Sequence, residues 1–335
     1  MNELARMRLR INRPFGVLLA IWFVLSLNNA MAHEFHSHSE SQTITGGQTA
    51  TAAERELVSL KGPSEAAFAG FDQTSTRVDG RYLIIESNGL PNHDMMVGIR
   101  AWQQQVPLPQ PFEGRNAWRL PLNPRPASRP ISVLRTPMRG AIALAVNGVP
   151  IFSALNNRGE DTYLAGELDK WGGHCGRGDD YHYHIAPVHL EETVGEGNPI
   201  AFALDGYPIL GLKERDGKTP QGLDRFNGHT HDGSYHYHAS KKFPYINGGL
   251  HGVVTMRGDQ IEQPRDSPMR PGQPPLRGAS ITGFRRDGNE FELTYRVGNR
   301  NATIDYEVMS NGSVEFVYTD TSGRKSSKVY RRRGR

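Results

Sequence analysis

At 335 residues the chain is long enough for one large or two ordinary domains. Its hydrophobic content of 37 %, with 37 Gly and 22 Pro, excludes a helical bundle and points to a loop-rich, mainly β protein. Residues 1–32 carry four arginines against one glutamate; without them the formal charge falls from +4 to +1. No basic face then remains to indicate nucleic-acid binding, since Arg331, Arg332 and Arg333 form only a solvated tail.

The N-terminus reads as an export signal. Basic residues precede the apolar run Phe15 to Leu27, and Ala30-Met31-Ala32 is a small-x-small cleavage site. The run is too short for a membrane span, and no second candidate follows, so a periplasmic or secreted protein is expected. Cleavage after Ala32 leaves a free amine on His33 near His36 and His38. That set offers ligands to copper or zinc, although such tracts more often form only a polar leader. Residues 33–67 are read as this flexible leader and linker.

A domain is expected over residues 68–262. Tyr82 to Glu86 is a strand candidate before an Asn88-Gly89 turn, and Val97 to Trp102 and Val106 to Pro109 look extended. The chain then repeats itself. Asn147-Gly148-Val149-Pro150-Ile151 corresponds to Asp205-Gly206-Tyr207-Pro208-Ile209 at an offset of 58, and Tyr181-His182-Tyr183-His184 to Tyr235-His236-Tyr237-His238 at 54. Drifting offsets are what two copies with unequal loops produce, so residues 141–190 and 199–248 are read as an internal repeat. Two copies are too few for a solenoid, which leaves a pseudo-symmetric pair of β-hairpin/loop units in one domain. Each unit opens on an apolar run into Asn-Gly or Asp-Gly, a strong hairpin signal. Each then passes a Gly-rich loop holding His174 or His229 and ends on Tyr-His-Tyr-His.

Residues 263–277 read as a Pro-rich linker. Residues 278–335 alternate at period two, with Asn311-Gly312 and Ser322-Gly323 turns, as expected of a small antiparallel β-meander with a basic tail.

The chemistry lies in the histidines. Eight of the 13 fall between His174 and His238, several times what random placement gives. On a strand, His182 and His184 share one face and the tyrosines the other. Two histidines at i and i+2 can chelate one ion and need a third ligand, for which His174 is the natural choice. His229, His236 and His238 make the sister set. Three-His sites leave a coordination position open; alternatively both segments share a single centre. The competing reading is an aromatic ladder that only packs a sheet. Asp169, Asp179, Asp180 and Asp224 are second-sphere or loop-forming candidates, and His231 is a spare ligand without a counterpart. His93, His189 and His251 are expected to be surface or satisfied histidines. Cys175, the only cysteine, is expected as a buried free thiol, since Thr230 replaces it in the second copy.

These segments, with Val97-Gly98-Ile99, Trp102, Pro107-Leu108-Pro109 and Gly173-His174-Cys175-Gly176, resemble the YHYH-domain family of exported, largely bacterial proteins over roughly residues 80–255. The resemblance implies export and the domain boundary; the family has no assigned activity, so no catalytic residue is carried over. The expectation is a domain that binds one or two transition-metal ions, zinc or copper, through the six histidines. The alternatives are a metal-dependent hydrolase or copper oxidoreductase, and a metal-free module recognising carbohydrate or protein through its tyrosines, Trp102, Trp118 and Trp171.

Overall fold

The hairpins written at Asn147-Gly148 and Asp205-Gly206 sit at the centre of an eight-stranded sheet. We describe it from a computed structural model covering residues 64–134, 138–266 and 268–332. The expected signal segment and residues 33–63 of the expected leader, with His33, His36 and His38, lie outside the described residues. Strands β1 (Thr74–Asp79), β2 (Tyr82–Ser87) and β3 (Trp118–Pro121) form an antiparallel sheet beside it. Strand β4 (Pro126–Ser132) precedes the first repeat, which holds β5 (Ala141–Ala145), β6 (Pro150–Phe152), β7 (Gly173–Cys175) and β8 (Tyr181–Tyr183). The second repeat holds β9 (Pro199–Ala203), β10 (Pro208–Leu210), β11 (Gly228–His231) and β12 (Ser234–His238).

The strand order β11-β12-β10-β9-β5-β6-β8-β7 reads the same from both ends, one repeat on each side of the β5/β9 seam. Its symmetry is visible bond by bond: Val146 N–H donates to Ile200 O at 3.0 Å, and Leu204 N–H to Ile142 O at 2.9 Å, each pair displaced by the same 58 residues. Both seam strands are buried along their whole length, which explains uninterrupted Ala-Ile-Ala-Leu-Ala and Pro-Ile-Ala-Phe-Ala runs where alternation would mark a half-exposed strand. The hairpins use three-residue loops. Gly148 N–H closes a turn on Ala145 O at 2.8 Å, and Gly206 N–H closes one on Ala203 O at the same distance. Gly148 (φ +78°) and Gly206 (φ +92°) take the left-handed position that follows such a turn.

Two local expectations fail. Residues 97–102 and 106–109 form no strand, because Met96 (φ +68°) and Gly98 (φ +95°) turn the chain and the prolines at 107 and 109 lack N–H donors. His174 and His229 lie on β7 and β11, hairpin-paired with β8 and β12, and not in Gly-rich loops. Glycine explains the pairing: a Cβ at Gly173 or Gly228 would collide with the ring of Tyr181 or Tyr235.

Strand β13 (Gly249–Gly252) pairs with β4, and β14 (Met256–Arg257) with β15 (Gln260–Ile261). The C-terminal meander is a five-stranded antiparallel sheet of β16 (Ala279–Asp287), β17 (Glu290–Val297), β18 (Arg300–Val308), β19 (Val314–Thr319) and β20 (Lys325–Tyr330). Its Phe291, Tyr306 and Phe316 stack across strands, and Tyr306 Oη donates to Pro107 O at 2.8 Å. In the segment between, Arg270 is buried and pairs with buried Asp179 at 2.6 Å. All described residues belong to one compact unit.

Candidate metal centres

Period-two alternation sorts the side chains of β7, β8, β11 and β12 into two chemistries on opposite faces of the sheet. On one face the tyrosines brace the turns. Tyr181 Oη donates to Asp169 Oδ2 at 2.8 Å and Tyr235 Oη to Asp224 Oδ2 at 2.9 Å. Asp169 Oδ1 also accepts from the N–H groups of Trp171 and Gly173, and Asp224 Oδ1 from those of Phe226 and Gly228. Both aspartates therefore build loops and do not orient histidines. Tyr183 Oη meets Asn147 Nδ2 at 3.1 Å, whereas Tyr237 Oη donates to buried Asp205 Oδ2 at 2.6 Å. Cys175 shares this face, since it is one residue removed from His174. It cannot reach the histidines, and burial, with Asp179 next, raises its thiol well above the ordinary value.

On the other face the histidines converge. His184 Nε2 lies 3.0 Å from His174 Nε2 and 3.1 Å from His182 Nε2. Their remaining ring positions are held by backbone carbonyls: His184 Nδ1 by Ser153 O at 2.5 Å, His182 Nδ1 by Asp180 O at 3.0 Å, and the His174 ring by Glu167. A carbonyl only accepts, so each ring carries its proton there and aims an Nε2 lone pair at the others. Three facing lone pairs need a cation or proton between them. Nitrogen donors bound at 2.0–2.1 Å to one tetrahedral ion stand about 3.3 Å apart, close to the separations seen. Burial, followed by the neighbouring His182, lowers His184 to about 3, and burial lowers His174 well below its usual value. Both rings are thus neutral at pH 7, as ligands must be. Phe152 stacks on His182 at 3.8 Å and closes one side of the cluster.

The second half repeats the arrangement and adds to it. His236 Nε2 lies 3.3 Å from His229 Nε2 and 3.0 Å from His238 Nε2. His229 Nδ1 donates to Gln221 O at 2.8 Å and His238 Nδ1 to Gly211 O at 3.1 Å. Glu214, only 4 % exposed, enters this group: Oε2 is 3.1 Å from His236 Nε2, and Oε1 is 2.9 Å and 3.1 Å from the Nε2 atoms of His229 and His238. Oε2 is in hydrogen-bonding geometry with His236 Nε2, whereas Oε1 has no hydrogen-bond partner. Burial pushes the Glu214 carboxyl up, but His238, His236 and His229 outweigh it and hold the group below its usual range. An ionised, buried carboxylate with an unpartnered oxygen facing three imidazoles is a fourth donor.

Glu214 escaped the sequence reading, although a signal existed. It lies 58 residues after Asn156, and the backbone bonds match: Asn156 N–H to Glu160 O at 2.9 Å, Glu214 N–H to Lys218 O at 2.8 Å. His231 stands 3.5 Å from Glu214 Oε1, outside the four-donor group. His93 stacks on Trp171 and bonds Tyr183, and His251 stacks on Tyr235, so both serve the tyrosine face. Asp180 contributes its carbonyl to His182 and places Oδ2 3.3 Å from the same ring nitrogen. The six expected histidines fall into two separate groups at opposite edges of the sheet, His174, His182, His184 and His229, His236, His238 with Glu214.

No helix of the described residues is long and apolar enough to cross a membrane. No curated protein and no solved structure matches the chain. Residues 117–221 match the family described as YHYH protein, a span that takes in the first histidine cluster and Glu214. The match covers the first Tyr-His-Tyr-His strand, and the second, at Tyr235 to His238, lies beyond it in the other half of the same sheet.

Proposed function

We propose that this domain binds two transition-metal ions, one at each edge of the eight-stranded sheet, in a protein exported by its N-terminal signal. His174, His182 and His184 would hold one ion; His229, His236 and His238 the other. The observation that carries this reading is the convergence of three Nε2 atoms in each half, with the opposite ring positions tied to backbone carbonyls. Sheet packing alone gives no reason to bring unprotonated nitrogens together twice. Zinc and copper suit imidazole, and a bound ion of either kind acts as a Lewis acid.

Metal-dependent hydrolysis or copper redox chemistry is the second reading. It is favoured by the three-donor composition of the His174 cluster, which keeps a position for water or substrate. Recognition through the tyrosines has less support, because Tyr181, Tyr183 and Tyr237 are buried. The test is elemental analysis of the untagged protein beside a variant with His182, His184, His236 and His238 changed to Ala. Two zinc or copper ions per chain, absent from the variant, are expected. A folded wild type that neither contains nor takes up zinc or copper would refute the reading.

A further inference from the structure

The two repeats place different residues at one backbone position, and that position faces the candidate ions in one half only. Asn156 and Glu214 occupy equivalent five-residue turns. In each, the residue's N–H donates four residues on, and its carbonyl accepts from the glycine three residues on, Gly159 N–H at 3.0 Å and Gly217 N–H at 2.9 Å. The side chains diverge. Asn156 turns its Oδ1 to the N–H groups of Arg158 and Glu160, and its Nδ2 to Glu160 at 3.0 Å and Glu167 at 3.4 Å. It contributes nothing to the His174 cluster. Glu214 instead projects both oxygens among the imidazoles of the other cluster, one of them lacking a hydrogen bond.

Resting on the two-ion reading above, we infer that the duplicated centres have diverged in kind. The Glu214 centre is a closed four-donor site that retains its ion, and the His174 centre is a three-donor site that exchanges its ion and accepts an exogenous monodentate ligand, water or a small anion. The chemistry follows from donor count and charge. Three imidazoles and a carboxylate complete a tetrahedron and cancel one of the ion's two positive charges. Three neutral imidazoles do neither, leaving a dication with a vacant position. The buried carboxylate in turn needs a cation beside it.

The test uses the full chain loaded with Co2+, whose visible spectrum reports coordination, and reads release to a chelator alongside the response to azide. Wild type is expected to lose one ion fast and one at least about tenfold more slowly, since even outer-sphere changes alter affinity 10–100-fold. Azide should change the spectrum of the fast ion alone. Glu214→Gln, close to isosteric, should convert the slow phase to a fast one; His182→Ala should remove the fast phase and the azide response while sparing the slow phase. Two ions lost in a single phase, or an azide response that survives His182→Ala, overturn the divergence and leave two-ion binding standing. Failure of folded wild type to take up Co2+ overturns both. The release profile of the wild type decides the matter even if a variant does not fold.

Discussion

The two halves of the central sheet are built on one plan and finished differently. Each pairs a Gly-His strand with a Tyr-His-Tyr strand, braces its outer tyrosine on an aspartate and turns its histidines inward. In the first half Tyr181 and Tyr183 lie beneath His93 and Trp171, and no carboxylate joins the converging Nε2 atoms of the histidine cluster. In the second half Tyr237 holds a buried aspartate, and a buried glutamate joins the histidines. The scaffold tolerates exchange at either face because the strand backbone, and not the side chains, sets where each face points.

The sharpest way to break the comparison is to disable each half separately. His182→Ala with His184→Ala, and His236→Ala with His238→Ala, should each remove one of two bound ions and leave the other, as read by native mass spectrometry. Loss of both ions from either pair would mean that the halves share one centre.

The tyrosine faces should differ in stability. Tyr237→Phe strips a hydroxyl from buried Asp205, a hydrogen bond to a carboxylate worth about 1.5–3 kcal/mol. Tyr183→Phe removes contacts to neutral Asn147 and His93, worth about 0.5–1.5 kcal/mol. Urea unfolding of the two variants checks the order; equal losses would show that Asp205 does not depend on its tyrosine.

Acid should strike the first half harder. Burial, with secondary contributions, lowers His93 and His189 to about 4 and His184 to about 3. A histidine whose folded pKa is depressed binds fewer protons folded than unfolded, so stability falls as pH drops below about 6.5 and continues to fall toward the folded value. For well-buried His184 the slope approaches about 1.4 kcal/mol per pH unit. Metal-free protein should therefore lose stability between pH 6.5 and 4. Zinc should raise the whole curve without flattening it, because metal-held imidazoles stay neutral in the folded state while unfolded ones still protonate. A metal-free unfolding midpoint independent of pH over this range would contradict the burial of neutral histidines.

The smallest effect concerns Cys175, for which Thr230 stands in the other half. Its buried thiol should resist labelling by iodoacetamide in the native protein and react only on unfolding. Rapid native labelling would show that β7 opens.

Much of this comparison was legible in the sequence. The repeat offsets announced the symmetry, and Asn147-Gly148 and Asp205-Gly206 marked the hairpins that meet at the seam. The alternation of Glu290 to Val297 marked β17 to the residue. Alternation also put the histidines of Tyr-His-Tyr-His on one face, which is why four of the six ligand candidates could be named; His174 and His229 were added as third ligands from the neighbouring segments. Residues governed by long-range pairing were hidden. Nothing local in Gly-His-Cys says strand; the pairing with Tyr181 to Tyr183 makes it one, and the ring lying over Gly173 dictates the glycine. Glu214 was hidden by distance, being 15 residues before the first histidine of its group. Only continuing the offset of 58 from Ile151 and Ile209 as far as Asn156 would have brought it into view.

The most direct measurement is the anomalous diffraction of crystals grown with zinc, recorded on both sides of the zinc absorption edge. The account predicts two peaks per chain, one among the Nε2 atoms of His174, His182 and His184, the other among those of His229, His236 and His238 with a Glu214 oxygen, at bond lengths of about 2.0–2.2 Å. Ordered clusters without a peak at either position would contradict it.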